Sequence, residues 1–165
     1  MSFSEDAALR DLAREMPVST PRAVLVWSAV VEIAARESLG ASPLGERWIV
    51  PITGGAFWGG PSFDAVSGHV RPGGADRQLL RPDGVKELCA EYEMQTFDGA
   101  VLSVRNEVIV DERVQPDRYA ISRIRVTAPA GVHDWMNRRL FVGTLQSLRP
   151  QRAAVLIRGF MLHAS

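Results

Sequence analysis

Residues 85–112 read VKELCAEYEMQTFDGAVLSVRNEVIVDE, two runs of alternating side chains on either side of Asp98-Gly99. Alternation at period two marks strands, and Asp-Gly between two such runs marks a hairpin. Loop length then decides the rest. If Asp98-Gly99 is a two-residue loop, Tyr92 faces Arg105, and the alkyl residues of one strand lie opposite the charges of the other. If Phe97-Asp98-Gly99 is a three-residue loop, with Gly99 in the left-handed conformation, Thr96 faces Ala100. Leu88, Ala90, Tyr92 and Met94 then share a face with Leu102, Val104, Asn106 and Val108. Glu87, Glu91, Glu93 and Gln95 take the other face with Val101, Ser103, Arg105 and Glu107, and Glu91 lies opposite Arg105. The second register sorts apolar from polar on both strands at once, and a slip of one residue turns the whole set over. It also puts a phenol and an amide, Tyr92 and Asn106, on the apolar face. An unsatisfied polar group there costs about 1–3 kcal/mol, so these two either find partners or line a pocket.

Outward from this hairpin the chain keeps the same character. From Ala23 onward, β-branched and aromatic runs fall near 23–34, 47–53, 63–71, 75–81, 85–96, 100–112, 119–127, 140–147 and 153–163. Gly, Pro, Asn and Asp separate them. About nine short strands without a long helix between them predict a mainly β, single-domain antiparallel barrel. Residues 2–16 read as a short N-terminal helix. Ser2 and Glu5 have capping-box spacing, Leu9, Leu12, Ala13 and Met16 form a stripe, and Pro17 ends it. A further turn or two of helix is expected at 132–139, around His133-Asp134-Trp135-Met136-Asn137. The organisation is therefore a helical leader, 1–20, and a barrel domain, 21–165.

Composition narrows the class of protein. The 165 residues suit one core, and 46% hydrophobic content excludes disorder over most of the chain. No apolar run reaches the roughly 18 residues a membrane helix needs, and Glu32 interrupts the longest, 23–35. The N-terminus is acidic and lacks a signal-like region, and Cys89 has no second cysteine to pair with, so a cytoplasmic protein is expected. Formal charge is zero but unevenly spread: residues 113–165 hold nine arginines against Asp117 and Asp134, while 84–112 hold seven acids against Lys86 and Arg105. Neighbouring strands of opposite sign pair across a sheet, which accounts for this without a nucleic-acid partner. The same asymmetry and the leader helix raise the expectation of a homodimer.

Glycine pairs in two stretches, ITGGAFWGG (52–60) and PGGAD (72–76), invite comparison with phosphate loops. A P-loop needs Lys and Ser or Thr after its last glycine, whereas Gly60 is followed by Pro61-Ser62. A dinucleotide fingerprint needs G-x-G-x-x-G between strand and helix, and the spacing here misses it. The glycines read as corners that bend a sheet.

PLGERWIVPITGGAFWGG (43–60), PGGADRQLLRPDG (72–84), AEYEMQTFDGAVLSVRNE (90–107) and WMNRRLFVG (135–143) together resemble the DUF3237 family, also called UPF0311. The matching residues include Arg47, Pro51, Gly54, Gly55, Gly73, Gly74, Asp76, Gln78, Asp83, Gly84, Tyr92, Asp98, Gly99, Phe141 and Gly143. The resemblance runs from about Pro21 to the C-terminus. It implies a compact, predominantly β, barrel-like domain found in bacteria and fungi, and it assigns no activity. The leader 1–20 departs from the pattern, as does Arg77, where an aromatic is common.

Searches for familiar chemistry mostly fail. His69, His133 and His163 lack ligand-spaced partners, so no metal site is expected. Cys89 lies opposite Glu107, which would raise its pKa and blunt it as a nucleophile. Val66-Ser67-Gly68-His69 is not a nucleophile elbow. If Val24, Val26, Ser28 and Val30 point inward, Glu32 follows them to the barrel rim. Pro72-Gly73-Gly74-Ala75-Asp76 turns the backbone tightly and aims a carboxylate, with Gln78 on the same face. Asp76 either helps floor a cavity or caps the turn and pairs with Arg47 or Arg81. The site expected from phase and chemistry is the barrel interior. Asp76 is its general base and Tyr92 its proton donor. Gln78 and Asn106 orient the substrate, and Arg47 and Glu32 stand at the rim. Its ligand is a small, partly apolar organic molecule. The expected function is a lyase, isomerase or cyclase working without a cofactor; the alternative is a ligand-binding barrel without catalysis. A nucleic-acid module and a membrane partner fit least.

Overall fold

A computed structural model describes residues 3–164. Helix α1 (Phe3–Glu15) leads into ten strands: β1 (Pro21–Ile33), β2 (Glu37–Ser42), β3 (Gly45–Gly59), β4 (Gly68–Val70), β5 (Ala75–Leu80), β6 (Lys86–Thr96), β7 (Val101–Asp111), β8 (Tyr119–Thr127), β9 (Leu140–Ser147) and β10 (Ala154–Ala164). A 3₁₀ helix spans Asp134–Arg138, inside the stretch expected to be helical. The capping box proposed at Ser2 lies outside the described residues. Leu9 and Leu12 of α1, and Met16 just after it, face solvent. Among the described residues, no helix is long and apolar enough to cross a membrane.

The sheet closes on itself. Eight strands follow one another around the ring as β1-β10-β9-β8-β7-β6-β4-β3, and β3 pairs back onto β1; β2 and β5 lie off this path. Strand β5 fills the same gap between β3 and β6 as β4, nearer the other end of the barrel. Closure leaves the ring itself without a free edge. The β6–β7 hairpin has the three-residue loop: Glu91 faces Arg105 and Met94 faces Leu102. The Thr96 N–H donates to the Ala100 carbonyl at 2.9 Å, and Gly99 has φ +93°. Burial alternates along β7, with Leu102, Val104, Asn106, Val108 and Val110 buried.

Two glycines show why the sheet bends where it does. Gly55 (φ +136°) lies beside a register shift between β1 and β3, and a Cβ there would sit 2.0 Å from the Val30 carbonyl oxygen. Gly74 lets the turn between β4 and β5 close over β6, since its Cβ would sit 2.7 Å from that of Tyr92. The expected run 47–53 is longer than its apolar pattern suggests, because Gly54, Gly55 and Gly59 stay in strand β3. Strand β2 lies outside the expected runs because its residues are exposed along almost its whole length and show no alternation.

One end of the barrel is filled. Trp27, Phe57, Met94, Leu102, Met136 and Phe141 are almost wholly buried there. The Trp27 and Phe141 rings lie 5.3 Å apart, and Trp135 lies 6.2 Å from Phe141. The 3₁₀ helix is tied down by Asn137, which accepts from the Ala128 N–H at 2.8 Å and donates to the Ala128 carbonyl at 2.9 Å. Buried His133 reaches Asp98 in the hairpin loop, Nε2 to Oδ2 at 3.2 Å. On the outer face, the acidic and basic segments pair as charge asymmetry suggested, Arg123 meeting Glu107 at 2.8 Å, and within the hairpin Arg105 meets Glu91 as its register requires.

Candidate active site in the barrel

The opposite end is hollow. A cavity of about 180 Å³ runs inward between the ends of β1, β3, β5 to β7, β9 and β10. Its wall is mostly aliphatic, with Val31, Ile52, Leu88, Val108, Leu145 and Ile157 among its residues. Set into this wall are Asp76, Gln78, Tyr92 and Asn106. Their placement follows from the ladder. Asp76 pairs with Ala90, and Ala90 pairs with Asn106, so the carboxylate and the amide flank one small residue at one level of the barrel. Tyr92 stands one inward step deeper on β6, beneath the Gly74 turn, and is diagonal to Asn106 across the β6–β7 pair.

The hydrogen bonding of this group is incomplete. Gln78 donates to Asp76 Oδ2 at 2.7 Å. Among the described residues, five buried polar atoms lack a protein partner: Trp27 Nε1, Asp76 Oδ1, the Tyr92 hydroxyl, Asn106 Oδ1 and Ser122 Oγ. Three of the five belong to cavity-lining residues. Buried polar groups normally find partners, so three orphans on one wall call for an explanation. Burial raises the Asp76 pKa against the opposing bond from Gln78, and burial alone pushes the Tyr92 phenol further above its ordinary value. The site therefore offers a strengthened carboxylate base beside a hydroxyl that stays protonated through the neutral range.

The two expected rim groups lie elsewhere. Glu32 does not line the cavity; it pairs with Arg152, whose Nε lies 2.7 Å from Oε1. The cause is a bulge in β1 between Leu25 and Trp27, which reverses the phase and turns Trp27, Ala29, Val31 and Ile33 inward in place of Val30 and Glu32. Arg47 points off the outer face and holds the β2–β3 turn, donating to the carbonyls of Leu39 at 2.9 Å and Gly40 at 3.3 Å. It does not pair with Asp76, and neither does Arg81, which pairs with Asp83 and with Glu87 at 3.2 Å. Outside the cavity, burial raises the Cys89 thiol, with Glu107 acting in the same direction and Arg105 against it. Among the described residues, no group of three or more His, Cys, Asp or Glu is placed to hold a metal ion.

Sequence reading missed two cations at the cavity mouth, Lys86 and Arg118. Lys86 was within reach, since it precedes Leu88 by two residues on the inward phase of β6. Arg118 was not, because it lies in the loop before β8, where no periodicity places a side chain.

Fold and site together define a small closed antiparallel barrel with a polar-studded apolar cavity at one end. The chain belongs to the family described as Protein of unknown function (DUF3237), which matches residues 21–162. A UPF0311 protein of Rhodopseudomonas palustris is 33% identical over 132 residues, covering 72% of this chain and 84% of the relative. The crystal structure of a conserved protein of unknown function from the same organism superposes with a TM-score of 0.76 at 31% identity, covering 90% of this chain and 100% of that one. An enzyme from Penicillium herquei shares the fold, with a TM-score of 0.70 at 19% identity over 90% of this chain and 98% of its own.

Proposed function

We propose that this barrel is a small-molecule enzyme, of lyase, isomerase or cyclase type, whose acid–base chemistry runs on its own side chains without a cofactor. The observation that carries the reading is the convergence of three unpartnered buried polar atoms, on Asp76, Tyr92 and Asn106, at one apolar cavity. Asp76 acts as general base. Its raised pKa makes it the stronger acceptor, and Gln78 fixes the oxygen that is not used. Tyr92 stabilises the oxygen on which charge develops, or protonates the product. The carbonyl of the Asn106 amide accepts from a substrate hydroxyl or amine. That the same fold serves an enzyme in Penicillium herquei supports catalysis as one of its uses.

The test is turnover of a panel of enolisable hydroxy-ketones and hydroxy-acids, followed by mass spectrometry. Asp76→Asn is expected to lose on the order of 10²–10⁴-fold in rate while remaining folded. Tyr92→Phe is expected to lose rate with little change in substrate binding. A compound that binds the wild type in the cavity but is never converted would favour a carrier barrel. A rate unaffected by Asp76→Asn would remove the base from the mechanism.

A further inference from the structure

We infer that the molecule taken up by the cavity is an amphipathic acid: an apolar ring or short chain bearing a hydroxyl at its inner end and a carboxylate at the mouth, between Lys86 and Arg118. This rests on the cavity being the binding site, as read above, and adds the charge and orientation of its ligand.

Lys86 is the only lysine in the sequence, and it sits on the inward face of the first residue of β6. Arg118 immediately precedes β8 and lines the same cavity. Their side chains are 38% and 39% exposed, so each spans the boundary between solvent and interior. Both rely on one carboxylate oxygen, Glu112 Oε1, at 3.3 Å from Lys86 and 3.6 Å from Arg118. An ammonium has three N–H donors and a guanidinium five, so one shared acceptor leaves most of them unused. Nearby, Arg113 pairs with Asp111 and Arg152 with Glu32, while Arg81 is held by both Asp83 and Glu87, so none of these arginines competes for the cavity. On the cavity's own lining the charged groups are the cations Lys86 and Arg118 against the single carboxylate Asp76, an excess of one positive charge placed at the mouth.

Depth fixes the rest of the ligand. The level of Ala90, Asp76 and Asn106 lies four residues along β6 from Lys86, roughly 13 Å of strand, shortened along the axis by strand tilt. Flexible Lys and Arg stems reach part of the way down. The remaining gap suits one ring with a short chain, and 180 Å³ is slightly more than a cavity known to hold benzene, about 150 Å³. At the inner end, orphan acceptors on Asn106 and Asp76 require a donor on the ligand, which a hydroxyl supplies.

The probes are para-hydroxyphenylpropanoate, its primary amide and phenylpropanoate, titrated calorimetrically at low salt into the full chain. The wild type is expected to bind the hydroxylated acid on the order of tenfold more tightly than the amide, and phenylpropanoate more weakly than the hydroxylated acid. In the double variant Lys86→Gln, Arg118→Gln the preference for acid over amide disappears, the acid losing on the order of tenfold in affinity relative to the amide. Glu112→Gln, which removes the competing carboxylate, strengthens binding of the acid and serves if the double variant fails to fold. Equal binding of acid and amide by the wild type would overturn the inference and leave the cavity as the binding site. Failure of all three probes to bind would overturn both.

Discussion

At the end closed by Asp134–Arg138, the barrel interior is Trp27, Phe57, Met94, Leu102, Met136 and Phe141, and the buried His133 has Asp98 as a partner. At the other end, the same strands carry shorter aliphatic residues, and Asp76, Tyr92 and Asn106 each leave a polar atom unpaired. The closed end follows the ordinary rules of a protein core: large rings interlock, and among the described residues its one orphan polar atom is the Trp27 indole nitrogen. The open end breaks those rules at three neighbouring residues that line the cavity, and Ser122 Oγ, level with Val108, is a further orphan there. Local departures of this kind, in a molecule otherwise consistent from pattern to packing, are where function is expected. One half holds the barrel shut, and the other accepts a loss of stability to keep polar groups available.

The largest expected effects belong to the closed end. Trp27→Ala removes a wholly buried indole and should cost about 3–5 kcal/mol, read as a loss of some 10 °C or more in melting temperature. Gly159→Ala should cost about 1–3 kcal/mol by overpacking, since its Cβ would lie 2.3 Å from Cζ2 of the Trp27 ring. At the open end, the sign should reverse. Asn106→Leu replaces a buried amide having an orphan oxygen with an apolar side chain of similar size, and it should leave stability unchanged or raise it by about 1 kcal/mol. Denaturant midpoints of the three variants, measured together, would break the comparison if all shifted downward alike.

A smaller effect sharpens it further, because the two ends carry aspartates that titrate in opposite directions. The Thr96 hydroxyl, and after it His133, hold Asp98 below its ordinary value of 3.8, so its contribution is present above that value and lost as pH falls through the lower folded one. Asp98→Asn should therefore flatten the acid limb of the melting-temperature profile. A limb as steep as the wild type's would remove Asp98 from the acid sensitivity of the closed end.

Much of this was legible in the chain. The hairpin register followed from sorting two faces at once, and it alone put Tyr92 and Asn106 inside. Asp76 and Gln78 followed from the glycine turn and a two-residue period. What was hidden has physical causes. A bulge at Leu25 to Trp27 reverses phase without any residue that announces it, so Glu32 was placed on the wrong face. Glycines 54, 55 and 59 have no side chain to declare a face, which hid the length of β3. Strand β2 faces solvent on both sides, and Arg118 sits in a loop, so neither carries a pattern. The pairing of β1 with β3 and β10 closes the ring and brings Val31 and Ile157 to the same cavity as Lys86, and it is long-range.

The most direct test is the melting temperature of wild type and Asp76→Asn between pH 4 and pH 8. Burial raises the folded pKa of Asp76 above its ordinary 3.8, so ionising it costs stability as pH climbs from there through the raised value, and the cost persists at higher pH. Asparagine carries no such cost. The variant is expected to melt about 2–4 °C above the wild type at pH 7 for each kcal/mol gained, with the two curves converging near pH 4. A variant that melts below the wild type at pH 7, with the gap unchanged down to pH 4, would make Asp76 a structural group and contradict the division of the barrel into a stabilising end and a working one.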